Sequence, residues 1–295
     1  MKLGLGTAQF GQRYGIARGV DCPGPETVVE ILQAAADIGV TYLDTAPGYG
    51  ESEALVGRAL GRDHPFRIVT KTPVFGRRLD RTAGQTVADA AHASLERLGQ
   101  ERVYGLLVHD ADDLLADGGE AIFDAARSLR DSGVVSRIGV SVYDVEQIDG
   151  VLERFRIDLI QLPLNPLDQR LVRSGHVSKM KNSGIEVHAR SLFLQGLLLL
   201  DTDRLPAGFE PLREHLLETR NRARGIGLSP LGAALAFARD AAGPDVAVCG
   251  VESTAQLRQI REALDAPRVD EDWSGWALDD PRWVDPRRWE TGGDR

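Results

Sequence analysis

Short aliphatic or β-branched runs alternate along this chain with longer segments whose apolar residues recur every three to four positions. Eight runs read as strands: KLGLG (2–6), VTYLD (40–44), FRIVTK (66–71), VYGLLVHD (103–110), SRIGVS (136–141), DLIQLP (158–163), IEVHAR (185–190) and DVAVCG (245–250). Helical periodicity fills 25–39, 82–98, 119–131, 144–154, 210–224, 229–243 and 254–264. Such alternation predicts repeated βα units and a parallel sheet. The punctuation agrees: Pro25 stands near a helix start and Gly39 past its end, while Ser229 and Pro230 suit an N-cap and first helical position, with Gly243 closing that segment.

Eight units can form an open doubly wound sheet or a closed barrel. The dinucleotide fingerprint G-x-G-x-x-G fails after the first run, because Gly4 and Gly6 are present but Gln9 holds the third glycine position. The expected fold is therefore α/β, a (β/α)8 TIM barrel forming a single domain over residues 1–265. A Trp-rich C-terminal tail over 266–295, packed on the barrel, carries all four tryptophans, at 273, 276, 283 and 289. Rings of that size need a packing surface, so the tail is expected as a strap on the outer helices or as a wall of the substrate pocket.

Composition narrows the function. A length of 295 residues suits a barrel of about 250 plus a tail. No apolar run approaches the roughly 18 residues of a membrane span, and the start lacks the apolar core of a secretory signal, so the expectation is a cytoplasmic protein without a membrane partner. Only Cys22 and Cys249 are present, without metal-type spacing. A formal charge of −9 opposes a nucleic-acid partner. The HDADD cluster (109–113) gathers one His and three acids, but in a row after one strand, which marks a loop rather than a metal site.

The candidate chemistry lies at strand ends. Asp44, Lys71 and His109 each follow an apolar run, and the turn APGYG returns Tyr49 over them. In a barrel these ends form one rim, the face where active sites of this architecture lie. A tyrosine of ordinary pKa near 10 is a poor donor at neutral pH. Lys71 is expected to acidify it, Asp44 to hold Lys71, and His109 to orient a bound carbonyl oxygen. No covalent nucleophile stands out, so hydride from a cofactor is the natural companion step.

GLGTAQFG, DTAPGYGESEALVGRAL, IVTK, LLVHD, RIGVSVYD, SPLGAALAFA and VAVCGVESTAQL resemble the aldo-keto reductase family over most of the chain. The resemblance implies a (β/α)8 barrel reducing a small-molecule carbonyl, with Asp44, Tyr49 as general acid, Lys71 and His109 as its tetrad. It also implies that Ser141 and Gln161 hold the nicotinamide carboxamide. The strand 7 loop, with Arg190, Ser191 and Gln195, and the start of the last helix, with Gly250, Glu252, Gln256 and Gln259, would grip the phosphates and adenosine. The family pattern is broken at Val142, usually Asn, and at Arg190, commonly an aromatic stacked on the nicotinamide. The cofactor implied is NADP(H), with NAD(H) as the alternative that Glu252 favours or, if Glu252 only caps the helix, does not. Arg77, Arg78 and Arg190 are candidates to meet an anionic substrate. A nicotinamide-sensing regulatory barrel and a redox-neutral sugar epimerase or dehydratase remain alternatives to the reductase. The hairpin that plugs the barrel floor in many relatives is not seen before strand 1, so the tail, a helix or a partner subunit is expected to cover the floor.

Overall fold

The computed structural model describes residues 1–16, 21–76 and 79–289; Arg77 and Arg78 lie outside these. Eight parallel strands close in sequence order: β1 Lys2–Gly6, β2 Tyr42–Asp44, β3 Arg67–Lys71, β4 Val103–Val108, β5 Val135–Ser141, β6 Leu159–Pro163, β7 Glu186–Arg190 and β8 Val246–Gly250, the last pairing with β1. The (β/α)8 barrel is thus the observed fold. β6 is buried at every position, as expected of a strand covered on both faces. β4 ends at Val108, so His109 and Asp110 begin the loop rather than end the strand.

The outer helices carry one apolar face each. In Gly119–Asp131 the buried Ile122, Phe123, Ala126 and Leu129 recur at helical spacing. The Asp144 carboxylate accepts from the backbone N–H of Gln147 at the start of Val145–Arg154, and the Ser229 hydroxyl accepts from Gly232 at the start of Pro230–Ala236. That last helix continues as a π-turn over Phe237–Ala242 and stops at Gly243, whose φ of 63° is left-handed. Ser52–Ala59 and His176–Asn182 are further helices, too short to show a clear period in sequence.

The barrel floor is closed by the strands themselves. Tyr42 and Tyr104 meet edge to face at 5.6 Å, and the Arg67 guanidinium lies over both rings while donating to the Tyr42 hydroxyl at 3.0 Å. The Tyr104 hydroxyl donates to Glu186 at 2.5 Å, and Glu186 also meets His188 Nε2 at 2.8 Å. Burial disfavours the Glu186 anion, yet these partners outweigh it and hold the carboxyl at about 2.

The tail segment packs elsewhere. Trp273 and Trp276, 4.8 Å apart, enter the main core, with Trp273 edge-on to Phe237. Their carbonyls accept from Gln169 Nε2 at 2.6 Å and from His215 Nε2 at 2.9 Å. Trp289 sits at 4.9 Å from Phe209 in a second cluster with Leu198, Leu212, Leu216 and Val284. Among the described residues, no helix is long and apolar enough to cross a membrane.

Candidate active site

At the strand ends, Lys71 and Asp44 form a buried pair. The ammonium reaches both carboxylate oxygens at 2.8 Å and the Thr45 carbonyl at 3.0 Å, with the lysine only 2% exposed. Gln161 Nε2 donates to Asp44 Oδ1 at 2.7 Å. Burial pulls the Lys71 pKa down, opposed by the charge of Asp44. Behind the pair, buried Glu53 accepts from the Thr70 hydroxyl at 2.6 Å and from Arg97 Nε at 2.8 Å, tying Ser52–Ala59 to β3 and to helix Ala83–Leu98.

The Tyr49 turn is held by backbone. Thr7 N–H donates to the Asp44 carbonyl at 2.9 Å, and the Ser52 hydroxyl bonds to Thr7 Oγ1 at 2.7 Å. A Cβ on Gly11 would stand 1.9 Å from the Tyr49 carbonyl oxygen, so only glycine lets the β1 loop press against this turn. The Tyr49 ring centre lies 4.9 Å from Lys71 Nζ and 6.0 Å, edge to face, from the His109 ring. Burial, then Lys71, pushes the His109 imidazole down to about 4, so it is neutral at pH 7 and has one N–H to donate.

One expectation is corrected here. The Tyr49 phenol is raised well above its ordinary value, first by burial and next by Asp44, with Arg190 acting in the opposite direction. Lys71 is engaged by Asp44 through both oxygens, and the carboxylate acts on the phenol in the same direction as burial. Tyr49 is held fully protonated rather than made acidic.

A cavity of about 390 Å³ opens on Asp44 and Tyr49 and runs past Gln161, Arg190, Ser191 and Gln195 to Gly250, Glu252, Gln256 and Gln259. These residues, proposed from sequence, are thus brought together. Lys71 and His109, both beside the Tyr49 ring, are not among the lining residues, nor is Ser141, which is buried next to Gln161 in register. The loop after β7 is strained: Ser191, Leu194 and Gln195 have φ of 57°, 47° and 52°, a region that side chains other than glycine rarely adopt and that concentrates at functional sites. The Gln195 carbonyl accepts from Ile16 N–H at 3.0 Å, joining this loop to the one after β1. Gln9 packs against Gly250, where a Cβ would lie 2.2 Å from its amide oxygen. Ser253, not Glu252, caps helix Thr254–Asp265, and Gln256 Oε1 accepts from Glu252 N–H at 2.7 Å. Glu252 is among the residues that line the cavity.

Arg190 donates to the Val142 carbonyl at 3.1 Å and to Ser191 Oγ at 3.3 Å, with its guanidinium 4.1 Å from the centre of the Tyr143 ring. Arg287, from the tail, lies 3.7 Å from the same centre. Both guanidinium groups thus lie over the Tyr143 ring. This is how the tail reaches the mouth; among the described residues no tryptophan lines the cavity.

Sequence reading missed Tyr14. It lines the cavity with Tyr49 and Arg190, and although 41% exposed its hydroxyl is pushed up to about 12, first by burial and then by Tyr49. The signal was available only as an aromatic followed by glycine in the polar loop QRYG.

The HDADD acids have separate tasks. Asp110 caps Ala111–Leu115, Asp112 accepts from Gln147 Nε2 at 2.8 Å, and Asp113 accepts from Phe75 N–H at 2.9 Å while its Oδ1 is buried without a partner. Burial raises Asp113 to about 6, above an unfolded value near 3.9. The folded state therefore holds this proton longer, and stability is lost as pH rises through about 6. Asp113→Asn is expected to raise unfolding stability by about 1 kcal/mol at pH 8 and to leave it unchanged near pH 4.5. Urea unfolding at the two pH values checks this; no gain at pH 8 contradicts it.

Residues 2–277 match the model of the aldo/keto reductase family. The chain is 28% identical, over an alignment of 303 residues, to aldo-keto reductase YhdN of Bacillus subtilis (strain 168), covering 94% of this chain and 86% of that protein. It is also 28% identical to D-arabinose 1-dehydrogenase of Saccharomyces cerevisiae over 62% of this chain and 60% of that one. Among solved structures, the holo form of aldo-keto reductase AKR11C1 from Bacillus halodurans superposes with a TM-score of 0.72 at 21% identity, covering 91% and 88% of the two chains. The chain belongs to the aldo/keto reductase family of oxidoreductases.

Proposed function

We propose that this protein reduces an aldehyde or ketone to an alcohol with a nicotinamide dinucleotide, Tyr49 delivering the proton. The observation that carries the reading is the place of Tyr49. Its ring meets both buried Lys71 and neutral His109, and it lies on the wall of a cavity that continues to Gly250 and Gln259. The lining fits an elongated polar cofactor: Gly196 leaves backbone open, while Gln161, Ser191, Gln256 and Gln259 offer amide and hydroxyl groups. A reduced nicotinamide bound there supplies hydride. Gln161, with Ser141 beside it, would hold the carboxamide end, and the loop joined through Gln195 and Ile16 would hold the phosphates. His109 donates to the carbonyl oxygen and fixes its direction. Tyr49 gives its proton as negative charge develops on that oxygen, its ring positioned over the Lys71–Asp44 pair. Stopped mixing with NADH or NADPH and a panel of aldehydes tests the reading. Loss of nicotinamide absorbance is expected; no oxidation with any carbonyl overturns it in favour of a sensor.

The lining supports NAD(H) over the NADP(H) that family habit suggests. Glu252 faces the cavity beside Gln256 and Gln259, and among the described lining residues the only cation is Arg190, on the β7 side. A carboxylate accepts from a free ribose hydroxyl and repels a phosphate there. In direct titration NADH is expected to bind roughly tenfold more tightly than NADPH, and Glu252→Gln to narrow the gap. A preference for NADPH in the parent contradicts this assignment.

A further inference from the structure

We propose that the open cleft on the barrel floor binds a small polyvalent anion of the pyrophosphate or phosphate-ester class. The cleft measures about 710 Å³, against about 390 Å³ at the mouth, within the size range of small-molecule sites. It lies at the opposite end of the barrel from Tyr49: Tyr42, at the start of β2, lines it, whereas Asp44, at the end of the same strand, lines the mouth.

Its walls carry Lys2, Arg67, Arg137, Lys181, Arg239 and Arg268, against the acids Glu186 and Asp245. Both acids are already engaged. Glu186 accepts from Tyr104 and meets His188, and Asp245 accepts from Val187 N–H at 2.8 Å and pairs with Lys181 at 3.5 Å. Arg239 is held by both oxygens of Asp240, with Arg268 at 3.7 Å from the same carboxylate. Lys2, Arg67 and Arg137 have no carboxylate within ion-pair distance among the described residues. Arg67 is fixed in place by the Tyr42 hydroxyl and by the two tyrosine rings.

The remaining charge in the cleft is therefore positive, in a chain of formal charge −9. Converging cations repel one another unless an anion is shared between them. Guanidinium forks match the oxygens of phosphate, and a ligand of one negative charge would leave the cluster only partly neutralised. Tyr42 and Tyr104 are covered by Arg67 and by each other, so recognition falls to charge and hydrogen bonding rather than to stacking.

Calorimetric titration of the full chain with sodium pyrophosphate, at constant ionic strength, tests the site. Saturating dinucleotide is included to fill the mouth, where a pyrophosphate could otherwise lodge. One saturable event is expected, with citrate, of comparable charge, binding more weakly. Lys2→Gln with Arg137→Gln, both exposed positions, is expected to weaken pyrophosphate binding by roughly tenfold or more, with anion-free thermal unfolding unchanged. Equal binding by citrate, heat that survives the double substitution, or heat that disappears when the dinucleotide is added each overturns the proposal. Turnover at Tyr49 is expected to be untouched by the pair, so failure here and failure of the reductase reading are separately visible.

Discussion

Replacing Tyr49 by phenylalanine is expected to lower turnover by roughly 10²-fold or more, the usual worth of a positioned general acid, with dinucleotide affinity nearly unchanged. The ring is retained, so its contacts at 4.9 Å with Lys71 and at 6.0 Å with His109 remain. Only the proton is removed. The raised phenol pKa adds a pH signature. A donor acidified by Lys71 would ionise near neutrality, and reduction would decline from about pH 7 upward. Tyr49 is shifted the other way, by burial and then by Asp44, so it stays protonated beyond the ordinary phenol value near 10. The parent rate should then show no loss attributable to Tyr49 between pH 7 and 9. His109, held at about 4, is neutral throughout that range and adds no inflection either. A parent profile falling across pH 7–9, or a phenylalanine variant as fast as the parent, removes Tyr49 from the assigned role.

The barrel was legible because its strands are apolar runs that stop abruptly at polar residues, and the candidate site because Asp44, Lys71 and His109 are those residues. What sequence could not show were effects that depend on a third dimension. Lys71 beside Tyr49 reads as an acidifying cation until Asp44 is seen gripping the ammonium through both oxygens. Tyr42, Arg67, Tyr104 and Glu186 read as strand interior, yet together they close the floor for which a tail, helix or partner was expected. The tail likewise offered only the size of its tryptophans. Its contact with the mouth goes through Arg287 and Tyr143, a pairing no local pattern announces. Glu252 could be a cap or a cavity residue from spacing alone, and the Ser253 hydroxyl resolves that by taking the cap.

Asp44→Asn is expected to destabilise the fold by about 3–5 kcal/mol at pH 7, the cost of leaving a buried charge without its partner. Lys71 is 2% exposed and its charge is met by Asp44 and the Thr45 carbonyl; without the carboxylate, burial acts almost unopposed. Its pKa is already lowered in the parent, burial being the largest cause, and the variant should lower it further. The unfolded chain keeps its lysine near 10.4. Between the depressed folded value and that one, the unfolded state binds more protons, so stability rises with pH across the window. The variant should therefore stand furthest below the parent near pH 6–7 and recover part of the difference by pH 9–10, as the buried amine becomes neutral in the folded variant while the unfolded chain keeps its proton. Adding Lys71→Met should cost less than the sum of the two single changes, because no unpaired charge is then buried. Urea unfolding of the parent, both single variants and the double variant at two pH values measures all of this. Additive single effects, or a deficit for Asp44→Asn that grows with pH, would show that the pair does not hold the site in the way its geometry implies.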